Sequence, residues 1–216
     1  MIITYLGKSL VKIQSGETVI ALNPGAESDA KRPKFGADIA LVSLHDPSYA
    51  DTNQVTFGNK IPMVIDGPGE YEIGGMYIKG FQTDTVESQS KKGKTDKINT
   101  AYSIIIEDVR LAHLGAHGKD SFDAGTLDEL RDTDILFLPI GGDMVLDYKA
   151  AYKVVTMLEP KIIIPVHYES KDGASSPLPR FLKEYGAEQS EPVQKLVVKK
   201  KDMEGREGDV IVLAQV

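Results

Sequence analysis

Cysteine is absent from this 216-residue chain, which excludes disulfides, thiolate nucleophiles, zinc ribbons and cysteine-held iron–sulfur clusters. Any metal must be held by His, Asp or Glu. Histidine is scarce as well, limited to His45, His113, His117 and His167. No stretch approaches the roughly 18–20 apolar residues of a membrane span, and Met1 to Leu10 carries no basic segment followed by a long apolar run. A soluble, cytoplasmic protein with no membrane partner is expected. Basic side chains are in deficit, 25 Lys and Arg against 32 Asp and Glu, for a net charge of −7. That balance points away from nucleic acid as a partner, because polyanion binders gather Lys and Arg. What the chain does have is 41% apolar side chains, sufficient for one sizeable core.

Short β-rich runs fill the first half: Ile2–Leu6, Leu10–Ile13, Thr18–Leu22 and Ile39–Val42, broken by Gly7, Ser15-Gly16, Pro24-Gly25 and Gly36. A second block from Ile61 to Phe81 turns at Pro68-Gly69 and again, as a hairpin, at Gly74-Gly75. Residues 83–99 bring four lysines among Ser, Thr, Asp and Gln with only two large apolar residues, Val86 and Ile98. Such a segment buries little, so a mobile polar loop is expected.

Strands resume at Ala101–Ile106 and Val109–Leu114, and from there helices alternate with strands. Helices are expected over Ser121–Arg131, after Asp147 and over Leu178–Tyr185, with strands at Ile135–Leu138 and Lys161–Val166. The middle helix is the clearest: Asp147 caps it, Ala151, Val154, Val155 and Leu158 form one stripe, and Pro160 closes it. Leu196–Val198 and Val210–Leu213 read as final strands flanking a charged hairpin with Lys199, Lys200 and Lys201. No linker separates two cores, so one domain over 1–216 is expected. Many strands followed by strand–helix alternation imply an α+β sandwich, two sheets with helices packed outside.

Loops at strand ends are where reactive side chains are held by a rigid scaffold. Three such places hold polar residues: His45-Asp46 after Ala37–Ser43, His113 to Gly118 after Val109, and His167-Tyr168 after the run Ile162–Val166. His167 is the best placed for a ligand role, since a strand anchors its backbone. Glu70 and Glu72 share one face of a strand, as paired carboxylates or as a solvated edge.

Ile3-Thr4-Tyr5-Leu6-Gly7, Ala37–Ser43, Pro68-Gly69-Glu70-Tyr71-Glu72-Ile73-Gly74-Gly75, His113-Leu114-Gly115, Ile135–Gly142 and Pro160–Tyr168 together resemble the metallo-β-lactamase fold superfamily. They are most similar to its small bacterial and archaeal metal-dependent hydrolases. The resemblance implies a four-layer αβ/βα sandwich whose edge holds one or two zinc ions on His and Asp side chains. It also implies His-x-His-x-Asp-His after the strand ending at Ser43. In that register this chain has Leu44, Asp46, Ser48 and Tyr49 at the ligand positions, and Ala116 where the metal-bridging aspartate is usual. Lys8 stands where a histidine is usual, and Asn23 where an acid is usual.

Two functional readings follow. In the first, the ligands and the hydrolase activity have been lost, no cofactor is used, and the chain is a binding or regulatory protein for an unknown small molecule or protein, with homo-oligomerisation open. In the second, His45, Asp46 and His167, with Asp84 as a remote fourth, hold a single zinc for an atypical hydrolase of a lactone, ester or phosphodiester. Beside these two stands metal-free chemistry in the same cleft, for which Lys8, Tyr49, His167 and Glu70 are the acid–base candidates.

Overall fold

The computed structural model describes residues 1–25, 33–87, 97–168 and 176–216. One six-stranded sheet contains β1 (Ile2–Tyr5), β2 (Val11–Ser15), β3 (Thr18–Leu22), β4 (Ile39–Leu41), β5 (Met63–Ile65) and β12 (Leu196–Val197). Its order is β12-β1-β2-β3-β4-β5, antiparallel from β12 to β3 and parallel from β3 to β5. The seven-stranded sheet contains β6 (Gly69–Ile73), β7 (Met76–Thr83), β8 (Asn99–Ile106), β9 (Val109–His113), β10 (Ile135–Pro139), β11 (Ile162–Val166) and β13 (Asp209–Val210). Antiparallel pairing links β6 to β9, and parallel pairing continues through β10 and β11 to β13.

Alternation in the strand sequences explains the layering. Ile3, Tyr5, Val11, Ile13, Ile20 and Leu22 point inward from the first sheet and meet Ile78, Tyr102, Ile104, Leu111 and Phe137 from the second. Each fully buried side chain of this size contributes roughly 1.5–3 kcal/mol. β10 and β11 are buried on both faces and read as continuous apolar runs, because helices cover their other side. α2 (Ala124–Leu130), α3 (Tyr148–Leu158) and α4 (Pro177–Tyr185) supply that cover, with Ala151, Val154, Leu158 and Phe181 packed on Leu136, Leu138 and Ile163. The outer face of the six-stranded sheet carries a smaller cluster, Leu6, Leu10, Val19, Ala21, Ala40 and Val55. The two mixed sheets flanked by helices are the α+β sandwich expected.

Local boundaries differ where turn chemistry intervenes. Leu10 closes a tight turn rather than opening β2, bonding Leu6 N–H to its carbonyl at 2.9 Å across Gly7 and Lys8. α2 starts only at Ala124 because Asp123 caps it through Thr126 N–H at 3.0 Å. The expected hairpin around Lys199–Lys201 does not exist, since β12 and β13 belong to different sheets. Lys200–Met203 is instead a 3-10 turn with Met203 buried. Of the polar segment 83–99, Thr83 ends β7 and Asn99 begins β8, while 88–96 lies outside the described residues.

Candidate functional site

The ends of β4, β10 and β11 and the β1–β2 turn open onto one cleft of about 300 Å³, lined by Lys8, Asp46, Ser48, Tyr49, Asp143 and His167 among others. Two residues on its wall carry left-handed backbones, Lys8 at φ 50° and His167 at φ 55°. A non-glycine residue accepts that conformation only when its surroundings enforce it. Here the His167 N–H donates to the Lys8 carbonyl, and the Tyr5 hydroxyl donates to the same oxygen at 2.8 Å. Those bonds tie the end of β11 to the β1–β2 turn across the sandwich.

Beneath the cleft, Asn23, also left-handed at φ 50°, accepts from Ser43 N–H at 2.8 Å. That contact orients the amide, leaving its NH₂ to meet His113 Nε2 at 2.8 Å. His113 is wholly buried, and burial lowers its pKa to about 3. It is a neutral structural residue below the floor. Asn99 pins the turn after β9, accepting from Ala116 N–H at 2.6 Å and donating to the Leu114 carbonyl at 2.8 Å.

Three of the five positions where the family resemblance puts metal ligands form an apolar unit instead: Leu44, Tyr49 and Ala116 pack together with Val145, while Asp46 and Ser48 line the cleft. Tyr49 also reaches His167, its hydroxyl 2.9 Å from Nε2 and the two rings near-parallel at 8°. Burial first, and then the Asp46 carboxylate, push the Tyr49 hydroxyl far above the usual phenol range. Whichever partner carries the shared proton, Nε2 of His167 is engaged by a neutral phenol.

The remaining candidates are dispersed. His45 is exposed and pairs with Asp66 at 3.2 Å. Asp46 caps the short helix α1 (Pro47–Ala50) through Ser48 N–H at 3.0 Å and pairs with Lys97 at 3.0 Å. These contacts, the Ser48 bond foremost, hold its carboxyl below the usual range. Asp84 pairs with Lys119 at 3.3 Å and lines a different hollow, together with His117. Glu70 pairs with Lys79 at 3.2 Å, and Glu70 and Glu72 are both exposed on β6, outside the lining of the cleft. Asp143 and Met144 line the cleft without having been singled out from the sequence. The available signal was the strand-end loop that follows β10.

Gly141 shows how closely this cleft is built. A Cβ there would overlap the His167 carbonyl oxygen and come within 2.8 Å of Nδ1. Gly141→Ala is therefore expected to cost about 1–3 kcal/mol in urea unfolding and to move the His167 ring signals in NMR. Unchanged His167 signals would show that the loop yields freely.

Comparisons with known proteins bear on these observations. A Thermotoga maritima structure named as a Zn-dependent hydrolase of the metallo-beta-lactamase superfamily superimposes with a TM-score of 0.76, at 26% identity over 99% of each chain. A UPF0173 metal-dependent hydrolase of Lysinibacillus sphaericus is 26% identical over 79% of this chain and 86% of its own. A UPF0173 protein of Pyrococcus abyssi is 29% identical over 82% of this chain and 87% of its own. These relatives correct the expectation that no cofactor is used, because proteins named metal-dependent hydrolases point to a metal for the family. The described side chains do not fit such a group: among the described residues no set of three or more His, Asp or Glu is placed to hold a metal ion. The beta-lactamase superfamily domain model matches residues 2–167, and the chain belongs to that superfamily, in its metallo-β-lactamase-fold branch.

Proposed function

We propose that this chain works by binding rather than by hydrolysis, its cleft taking a small polar molecule in a binding or regulatory role. The observation that carries this reading is the apolar packing of Leu44, Tyr49 and Ala116 on Val145 at three of the five ligand positions. A buried methyl, leucine and phenol offer no carboxylate or imidazole to polarise a water, and Tyr49 engages Nε2 of His167, the one histidine lining the cleft among the described residues. Lys8, Ser48 and Asp143 remain as polar groups around it, a mixture suited to orienting a polar ligand over an apolar floor.

The test pairs calorimetric screening of small polar metabolites with hydrolysis assays on lactones, esters and phosphodiesters in added zinc or manganese. Binding without turnover is expected, and Lys8→Ala should weaken it about tenfold, the worth of one charge-assisted contact. Metal-stimulated turnover that disappears in His167→Ala would overturn the reading.

A second reading, a mononuclear metal-dependent hydrolase, is favoured by one observation: Asp46 and His167, two of the three or four ligands such a site needs, line the same cleft. Under it, stoichiometric zinc and turnover are lost together in His167→Ala.

A further inference from the structure

β5 closes one end of the six-stranded sheet, and among the described residues no strand pairs with its outer side. Its bonds to β4 fix which backbone groups face outward. Met63 N–H donates to the Asp38 carbonyl at 2.9 Å, and the Ile65 carbonyl accepts from Val42 N–H at 2.8 Å. Bonded residues alternate along a strand, so Val64 between them turns its N–H and carbonyl away from β4. The side chains are as open as the backbone: Ile61 is 81% exposed, Met63 53% and Val64 44%, and Phe57 is uncovered as well.

The other sheet edges are blunted. β6 carries the exposed Glu70 and Glu72, β12 is two residues long and flanked by Lys195 and Lys199, and β13 is two residues long and opens on Asp209. Charge and shortness are the usual means of keeping an edge from pairing. From Ile61 to Ile65 there is no charge, and the residues on either side of this run are of opposite sign, Lys60 before it and Asp66 after it. Antiparallel pairing of the run with a copy of itself brings each Lys60 end beside an Asp66 end, whereas parallel pairing would set like against like. Each charge is otherwise held only by an exposed partner, Lys60 by Asp38 at 2.7 Å and Asp66 by His45 at 3.2 Å. Contacts that exposed contribute little and are readily shared.

The register follows from the outward-facing residues, which by the same alternation are Pro62, Val64 and Asp66. A two-fold axis beside Pro62 would find no N–H to donate, and one beside Asp66 would set two carboxylates opposite each other. Beside Val64, each copy donates its N–H to the other's carbonyl, and Pro62 of one copy lies opposite Asp66 of the other.

We propose that β5 is the interface of a homodimer, two copies pairing antiparallel about a two-fold axis beside Val64 and joining their six-stranded sheets into one, with Ile61, Met63 and Val64 covered. So short a strand gives an interface at the small end of the range for protein pairs, so the dimer is reversible, with a dissociation constant on the order of micromolar. The inference is independent of what the cleft binds, since none of these residues lines it.

Sedimentation velocity of the full chain from about 5 to 500 μM should show a monomer–dimer equilibrium. Val64→Lys, an exposed change, should raise the dissociation constant at least about tenfold while leaving thermal unfolding of the dilute monomer unchanged. The chain has no cysteine, so Val64→Cys has only its counterpart in a second copy as a protein thiol to bond with. In oxidised glutathione it should form a disulfide-linked dimer, because residues facing each other across such a pair lie about 5.5 Å apart at Cα. Val197→Cys, on the β12 edge, is the control and should stay monomeric. A chain that remains monomeric up to about 500 μM overturns the proposal, as does a dimer that Val64→Lys leaves intact or cross-linking of Val197→Cys as fast as that of Val64→Cys.

Discussion

Zinc affinity should rise about a thousandfold or more over the parent chain when Leu44→His, Asp46→His, Ser48→Asp, Tyr49→His and Ala116→Asp are combined, since a complete zinc ligand set is worth many kcal/mol. The same five changes dismantle the cluster of Leu44, Tyr49, Ala116 and Val145 and bury a carboxylate at a position 1% exposed. Without metal the variant should therefore be about 3–5 kcal/mol less stable than the parent. Zinc at a thousand times its dissociation constant would return about 4 kcal/mol. Equilibrium dialysis and thermal unfolding with and without zinc measure both halves. A variant that binds zinc no better than its parent would show that the family register over Leu44–Tyr49 does not describe this cleft.

Acid should unfold the protein earlier than its carboxylates alone would require. His113 and His117 are buried, with pKa lowered by that burial to about 3 and about 4 from the ordinary 6.5. Below pH 6.5 the unfolded chain takes up protons at these rings that the folded chain refuses. Their contribution is thus complete above pH 6.5 and is lost progressively as the pH falls toward the folded values. Two protons give a slope of about 2.7 kcal/mol per pH unit near pH 5. Urea unfolding at intervals between pH 7 and 5 reads this before most carboxylates titrate. His117→Leu, which keeps an apolar face against Phe122, should halve the slope. A slope that stays flat over that range would place these rings in contact with water.

How much of this was legible in the sequence depends on the range of the interaction. β10 and β11 announced themselves as apolar runs, and α3 as a stripe behind Asp147, because those signals are local. The pairing of β12 with β1 and of β13 with β11 was not legible, since two-residue strands take their place from distant partners. Asp46 is the instructive case in the site. Asp-Pro-Ser is the start of a helix, with a side-chain cap followed by proline in the first turn. The geometry shows that cap, and it leaves Asp46 on the lining of the cleft as well. The direction of His117 depends on the left-handed turn at Gly115, whose exit no spacing rule supplies.

The bond from His167 N–H to the Lys8 carbonyl also has a meaning in time. As the chain is synthesised, the turn at Lys8 is made well before β11, yet its left-handed geometry waits for a partner 159 positions later. β1 waits longer still, since Ile3 pairs with Leu196. Contacts of such separation form late, after the loop between them has closed. A nascent or truncated chain that ends before β11 has no wall on which to assemble the cleft. Occupancy of the cleft is therefore a property of the finished molecule only, and a ligand present during synthesis would favour the completed fold over every shorter one.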